Sequence, residues 1–513
     1  MRPFPTLWKA NLIVFSSSFC VMVIELTAAR ILAPYIGVSL YTWTSIIGVI
    51  LGGIALGNYL GGKMADRYTS PLVLVAIFLA GSLATIAILP ATRMVAPAEW
   101  PIILPVMLEF VIKVSGIFLL PAVILSMVSP VVIKLTLADL GRTGGVVGTI
   151  YAFSTVGAIL GTFLTGFYFI LWFGTRTTIW VVAAVLLLTG LLAWFAWRVP
   201  NRWKLSLKNF IIWGAILNVL LTAVFLFQFR VSWQEKYTGE SNYYTIQVRN
   251  TGGGLKALIL DDLVHSYVIP DQPAALKYGY LNIFTEIIQY VSRENPKPRV
   301  LHLGGGGYSL PRYMEVAYSG SVNEVIEIDP MVTEVAHQEL GLPLETSIKT
   351  YNQDARLFLL RRKAAEGYDI VIGDVFNDKA TPYHLTTLEF DRLVRANMKE
   401  GGIYLVNIID NYKRGRYMPS FIYTLKQVFD YVYLFSIRKT WQDVGTTTFV
   451  IAATDRPIDL ADYQQSVTAG GRRTADGNPH DETGLEDYLA ARKPILLTDD
   501  HAPTDILVLP LFR

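Results

Sequence analysis

Apolar residues in the first 230 positions come in long unbroken runs, and afterwards in short bursts. The runs near 10–29, 42–61, 71–90, 108–133, 147–170, 177–197 and 210–228 are each about twenty residues long. That length crosses ~30 Å of hydrocarbon at ~1.5 Å per residue. Seven transmembrane helices are predicted. The 101–137 stretch is broken by Pro121 and Pro130 and has room for an eighth. The first run is followed by further runs and has no small-residue cleavage site behind it, so it reads as a span and not as a signal peptide.

Within these runs, Gly48/Gly52 and Gly53/Gly57/Gly61 form small-xxx-small stripes, and Gly157/Gly161 repeat the spacing. Such stripes let two helices approach closely. Helix packing explains them more simply than a diverged internal repeat does. Glu25 is an intramembrane carboxylate five residues before Arg30, and it marks either a functional point or a structural pairing. Glu109 and Lys113 are one helical turn apart and are expected to pair.

The second half has soluble periodicities. Residues 242–269 alternate as short strands, with Asn250–Gly254 and Asp261–Asp262 as turns. An amphipathic helix follows from Tyr278 to Val291. From Arg299 strands and helices alternate. Strands are expected at Val300–Leu303, Glu324–Ile328, Ile348–Tyr351, Tyr368–Asp374 and Gly402–Ile408. Helices are expected at Leu310–Ala317, Pro330–Glu339, Ala355–Ala365 and Leu388–Asn397, and Ser420–Phe429, Val432–Ile437 and Thr446–Ala452 extend the sheet. This alternation predicts a doubly wound α/β sheet of parallel strands. The expected domains are a transmembrane helical domain at 1–230, a small β subdomain with linking helix at 231–290, a Rossmann-like nucleoside-binding catalytic domain at 291–460, and a mobile loop and tail at 461–513.

Charge sharpens this division. The first 230 residues carry 15 Lys/Arg against 5 Asp/Glu, a net +10, and the remainder is −7. The basic excess lies between apolar runs and the acidic half carries the candidate site, which speaks against nucleic-acid binding. One cysteine, Cys20, excludes an intrachain disulfide or thiolate cage, and six scattered His show no metal-ligand spacing, so no metal is expected. With seven spans, the Lys/Arg bias places the soluble half outside. Nucleoside chemistry places it in the cytoplasm. The chain is read as an integral multi-pass cell-membrane protein with a cytoplasmic catalytic part, against that bias.

Candidate chemistry centres on Arg299-Val-Leu-His-Leu-Gly-Gly-Gly-Gly-Tyr308. A strand entering four glycines and then a helix lets a ligand approach backbone N–H groups. About twenty residues later, Glu327 and Asp329 end an apolar strand, where a carboxylate can accept ribose hydroxyls. Asp354 follows the third strand and Asp374 ends the fourth. Ligands in such sheets bind at these strand ends. Asp329 and Asp354 can equally serve as helix N-caps.

The motifs LHLGGGG, VIEIDP, NQDARLFL and YDIVIGDVFND, in this order, resemble the spermidine synthase (polyamine aminopropyltransferase) family, over about residues 250–455. The preceding spans resemble its membrane-fused members. The resemblance implies S-adenosylmethionine, or its decarboxylated form, as co-substrate, with no metal. It implies Gly304, Gly305 and Gly306 against the methionine-derived chain, Glu327 on the ribose, and Asp354 and Ala355 beside adenine. Asp374 would be the base that takes the proton of an attacking amine, and His265, Tyr278, Asn377 and Asp378 would face the acceptor substrate. The partners implied are the lipid bilayer and a small amine or a lipid-delivered acceptor, and a homodimer is left open.

The departures are specific. The family's loop commonly reads GGGDG, its Asp facing the free ammonium of the decarboxylated nucleoside; here that position is Gly307. His265 stands where a Gln is common, and Asn377 stands for a second strand-end Asp. Loss of the loop acid opens the alternative of an enzyme acting on intact S-adenosylmethionine, a methyltransferase or a lyase or cyclase of the methionine chain. A third reading is a transporter or sensor whose soluble part binds a nucleoside or polyamine. The segment Leu497-Thr-Asp-Asp-His-Ala-Pro-Thr-Asp505 resembles a tail of membrane-fused relatives, and would cover the crevice with Asp499, Asp500 or His501 contributing.

Overall fold

The computed structural model describes residues 7–36, 39–68, 70–97, 105–137, 143–196, 237–261, 263–362, 367–375, 382–436, 445–469 and 482–508. The chain forms two compact units, one of residues 1–234 with 240–242 and one comprising the rest. The seventh apolar run, 210–228, lies outside the described residues, as do Asn377 and Asp378.

Among the described residues, six helices of the first unit are long and apolar enough to cross a membrane. They begin with α1 (Leu7–Ile36), α2 (Leu40–Arg67) and α3 (Leu72–Val95). The Pro-containing stretch makes one span, Met107–Thr136, and does not split in two. It is built from α4 (Val106–Val114), a π-helical turn at Ser115–Leu119, α5 (Leu120–Ser126) and α6 (Val128–Thr136). A π turn absorbs an extra residue without breaking the helix direction. The last two spans are α7 (Thr143–Leu164) and α8 (Ile170–Ala196), with α8 kinked at Gly174. Glu109 and Lys113 pair at 2.7 Å, as their spacing predicts.

The glycine stripes explain how these helices pack. A Cβ at Gly61 would lie 2.7 Å from the Met127 backbone, and one at Gly57 would run into the Val123 carbonyl and lie 2.8 Å from Ser126 Cβ. A Cβ at Gly161 would lie 2.6 Å from the Phe19 carbonyl. So α2 seats on α5 and α6, and α7 on α1, at backbone-to-backbone distance. Gly48 and Gly52, by contrast, meet nothing within 4 Å. The contact is one-sided, and only one of the two α2 stripes carries it.

The second unit opens with a four-stranded sheet, β1 (Tyr237–Glu240), β2 (Thr245–Gly252), β3 (Leu255–Leu260) and β4 (Leu263–Val268). Helix α9 (Gly279–Val291) leads to a seven-stranded sheet in the order β10-β11-β9-β8-β5-β6-β7. Its strands are β5 (Arg299–Leu303), β6 (Val322–Ile326), β7 (Lys349–Tyr351), β8 (Tyr368–Gly373), β9 (Met398–Asn411), β10 (Tyr431–Ser436) and β11 (Thr446–Thr454). Strands β5 to β9 pair in parallel, but β11 runs antiparallel to both β9 and β10. The sheet is therefore mixed and not wholly parallel. The segment Ser420–Phe429, expected to extend the sheet, falls instead on a helix, Tyr417–Leu425, in which only Tyr423 is exposed.

Apolar clusters line both faces of the large sheet, which makes it doubly wound. A third cluster joins the small sheet to β6 and the helix Pro330–Glu339, bringing β4 against the glycine loop. Helices occupy Leu460–Ala469 and Glu482–Arg492, on both sides of the segment read as a mobile loop. The order reverses between β5 and β8, and in sheets of this kind ligands bind at the strand C-termini beside such a reversal.

Gly57→Leu is expected to lower the stability of the purified full-length protein by ~1–3 kcal/mol, the cost of overpacking a tight contact, whereas Gly48→Leu leaves it near wild type. Thermal melts in detergent compare the two, and equal losses would disprove the one-sided seam.

Candidate active site

The glycine loop is held from three sides. Gly304 has φ 93°, and a Cβ there would overlap the Asp374 carbonyl, so the loop crosses β8 at a point open only to glycine. Glu327 lies just beyond β6, and its Oε2 accepts from Gly305 N at 2.8 Å and Gly306 N at 3.1 Å. Its Oε1 accepts from Asp329 N at 3.0 Å. From the small sheet, Ser266 Oγ accepts from Gly307 N at 3.1 Å. Tyr308, left-handed at φ 55°, turns the chain into the next helix; its buried hydroxyl meets Thr333 and Thr350.

Three of the strand-end carboxylates, Glu327, Asp329 and Asp354, act on one tyrosine hydroxyl. Burial pushes the Tyr243 hydroxyl above its ordinary pKa, and the charges of Asp329, Asp354 and Glu327 push it further. This hydroxyl therefore lies within electrostatic reach of all three acids. Burial raises Glu327, only partly offset by the backbone N–H groups it accepts. Asp329 caps its helix by accepting from Met331 N. Asp354 also caps a helix, accepting from Leu357 N at 2.9 Å, and it pairs with His384 Nε2 at 2.9 Å. Ala355 is the first residue of that helix and is buried. Both Asp caps exist, then, and the Asp354 cap leaves its second oxygen on a histidine.

Asp374 is half-buried just beyond the end of β8. Tyr280 Oη donates to its Oδ2 and Asn407 Nδ2 to its Oδ1, each at 2.8 Å. Burial raises its pKa and these two donors lower it, leaving it above the ordinary carboxylate range. That is the condition of a carboxylate able to take up a proton from an amine. Tyr278 lies beside it, its ring 5.4 Å from that of Tyr280 and its hydroxyl donating to Val264 O at 2.6 Å.

His265, expected on the acceptor side, makes no hydrogen bond to the glycine loop among the described residues. It falls at an irregularity between β3 and β4, where Leu258 pairs with Ser266 and Ile259 with Val264. Its ring stands 6.4 Å from that of Tyr244, and desolvation holds its pKa down at about 4. The residue that touches the loop is its neighbour Ser266. Sequence reasoning also passed over Tyr280, Asn407 and His384. Tyr280 had a signal, being two positions from Tyr278 at a helix start, while Asn407 lay inside an apolar strand that marks no site.

Ser266 also accounts for the fourth glycine. A Cβ on Gly307 would stand 2.6 Å from Ser266 Cβ and 3.0 Å from Val268 Cγ2. The small sheet occupies the space that a side chain at 307 would need. At the other flank, Arg356 forks onto both oxygens of Asp499, one at 2.7 Å, and Thr387 Oγ1 donates to the same carboxylate. The acidic tail is thus pinned beside Asp354, while Asp500 and His501 are exposed. Gly307→Asp is expected to cost ~1–3 kcal/mol through overpacking, and Ser266→Gly in the same chain to restore most of it. Chemical denaturation of the three variants checks this, and absence of rescue would refute the steric account.

No protein-family profile matches the chain. A polyamine aminopropyltransferase of Vibrio vulnificus is 29% identical over 175 residues, 34% of this chain and 56% of that protein. A probable polyamine aminopropyl transferase of Bifidobacterium longum is 23% identical over 290 residues, 53% of this chain and 61% of its own length. The chain thus spans less than two thirds of these curated relatives. Among solved structures, a probable spermidine synthase of Corynebacterium glutamicum aligns over 52% of this chain and 97% of its own, at 21% identity and a TM-score of 0.46. Over these stretches the second unit of the chain is similar in sequence to polyamine aminopropyltransferases.

Proposed function

We propose that the chain is an integral-membrane aminopropyltransferase-like enzyme. It would move the aminopropyl group of decarboxylated S-adenosylmethionine to an amine acceptor and release methylthioadenosine. The observation that carries this reading is Asp374, half-buried, fixed by Tyr280 and Asn407, and adjoining the Gly304 turn. Its likeness to the aminopropyltransferases supports the same reaction, and the six apolar helices support the membrane setting.

In this reading the nucleoside lies along Gly304–Gly306, its ribose on Glu327 and its adenine beside Asp354 and Ala355. Glu327 would exchange its loop N–H partners for ribose hydroxyls, or hold both. Asp374 takes a proton from the acceptor's ammonium. The freed nitrogen lone pair attacks the methylene carbon bonded to sulfur. The C–N bond forms as the C–S bond breaks, and the pair of electrons leaves on sulfur. The sulfonium is already an activated leaving group, so the protein's work is alignment and proton transfer. Tyr278 and Tyr280 would wall the acceptor side. Asn377 and Asp378 are assigned to the same side from sequence alone. The soluble half would work in the cytoplasm, where the nucleoside is made.

Methylthioadenosine release by the purified full-length protein tests the proposal. Asp374→Asn is expected to lower kcat by ~10²–10⁴-fold, the usual contribution of a general base, and Glu327→Gln to raise mainly the KM for the nucleoside. Release of S-adenosylhomocysteine, or turnover of intact S-adenosylmethionine alone, would replace aminopropyl transfer with the other chemistry. Tyr280→Phe removes a hydrogen bond that favours ionised Asp374, so its pKa rises. The acidic limb of the pH–rate profile should then move to higher pH by about one unit, the worth of a hydrogen bond to a charged group. A shift to lower pH would contradict the assignment.

A further inference from the structure

We infer that the membrane half holds a binding site of its own for a small cationic amine, in a cavity among α1, α2, α5, α6 and α7. The cavity has a volume of about 280 Å³. This is near the lower bound for small-molecule sites, ~300 Å³. Eight of its thirteen lining residues carry a hydroxyl or amide, and among these lining residues there is no Lys, Arg or His. In helices otherwise apolar enough to span a bilayer, such a concentration of polar side chains is expensive and points to function.

The hydroxyls are not neutral in their demand. Ser17 donates its hydrogen to Leu125 O at 2.8 Å, Ser126 to Ala122 O at 2.7 Å, and Thr155 to Tyr151 O at 2.9 Å. Each has its one hydrogen committed to a helix carbonyl and keeps only lone pairs for the cavity. Ser18 and Ser154 share a hydrogen bond at 2.6 Å, so that pair offers one hydrogen between two oxygens. The amide of Asn58 can serve either way. Ser129, Tyr151 and the amide of Asn58 keep hydrogens of their own, but acceptor lone pairs still outnumber donors along the wall, which favours a ligand that brings N–H groups. Charge agrees. Glu25 lies three residues beyond Met22 and seven beyond Ser18, on the same face of α1. It has no hydrogen-bond or ion-pair partner among the described residues. An ammonium in the cavity would supply the countercharge this carboxylate lacks, with hydroxyl oxygens replacing its hydration.

This inference is independent of the reaction proposed for the soluble half. The test is saturable binding of tritiated 1,4-diaminobutane to the full-length protein in lipid nanodiscs. A saturable component of binding should remain in Asp374→Asn, which disables the acceptor site of the proposed reaction, and that component should weaken at least tenfold when Glu25→Gln or Ser154→Ala/Thr155→Val is added. Propylamine should displace the probe, and butane-1,4-diol should not. Binding that ignores both membrane variants, that vanishes in Asp374→Asn, or that the diol displaces equally well would overturn the site. If the double variant fails to fold, as judged by size exclusion, Glu25→Gln and the single Ser154→Ala decide. A protein that binds in this way but releases no methylthioadenosine would sink the reaction and leave the site standing.

Discussion

Everything at the strand ends depends on one carboxylate accepting three backbone N–H groups. Glu327 ties the glycine loop after β5 to the end of β6 and, through Asp329 N, to the start of the following helix. Four consecutive glycines have little conformational preference of their own, and ordering them costs ~1–2 kcal/mol per residue. The hydrogen bonds from Glu327 and Ser266 supply the order that the glycines lack. The same arrangement keeps an unneutralised acid in contact with backbone donors that an incoming ligand could also use.

The alternation of strands and helices was legible because each element has a strong period and a sharp boundary. Glycines and prolines separate the elements, and β5, β6 and β8 are apolar enough to be read as buried. The errors fell where period is ambiguous. Tyr417–Leu425 is nine residues, mostly apolar and aromatic, and such a run suits a buried strand or a helix equally. The reversed β11 left no trace in its own residues, because direction is set by the connection and not by composition. At the site, Glu327 and Asp374 were visible as acids closing apolar strands. Ser266 and Asn407 were not, because each acts across a tertiary contact that links residues 41 and 33 positions apart.

Gly307 shows how a departure from a motif acquires a physical cause. Read alone, the fourth glycine subtracts an acid from the site. In the fold it also adds room for β4, whose serine and valine fill the space beside it. The loop and the small sheet have to change together, since neither accepts the other's larger alternative. Glycine serves a parallel purpose in the membrane half, where Gly57, Gly61, Gly157 and Gly161 exchange side-chain volume for backbone contact.

Glu324, within β6 and three residues before Glu327, has the opposite surroundings. Arg299 and Arg362 both reach it at 3.1 Å, and Tyr368 donates to it at 2.9 Å. Its pKa stays below the ordinary carboxylate range although burial alone would raise it. Glu327 and Asp374, a few residues further along their strands, accept only from uncharged donors. Glu324 is therefore neutralised by guanidinium groups within the sheet, whereas Glu327 and Asp374 at the strand ends are held by uncharged donors alone. A cation approaching those two acids would meet a field that added salt screens, while Glu324, already compensated, would offer it little.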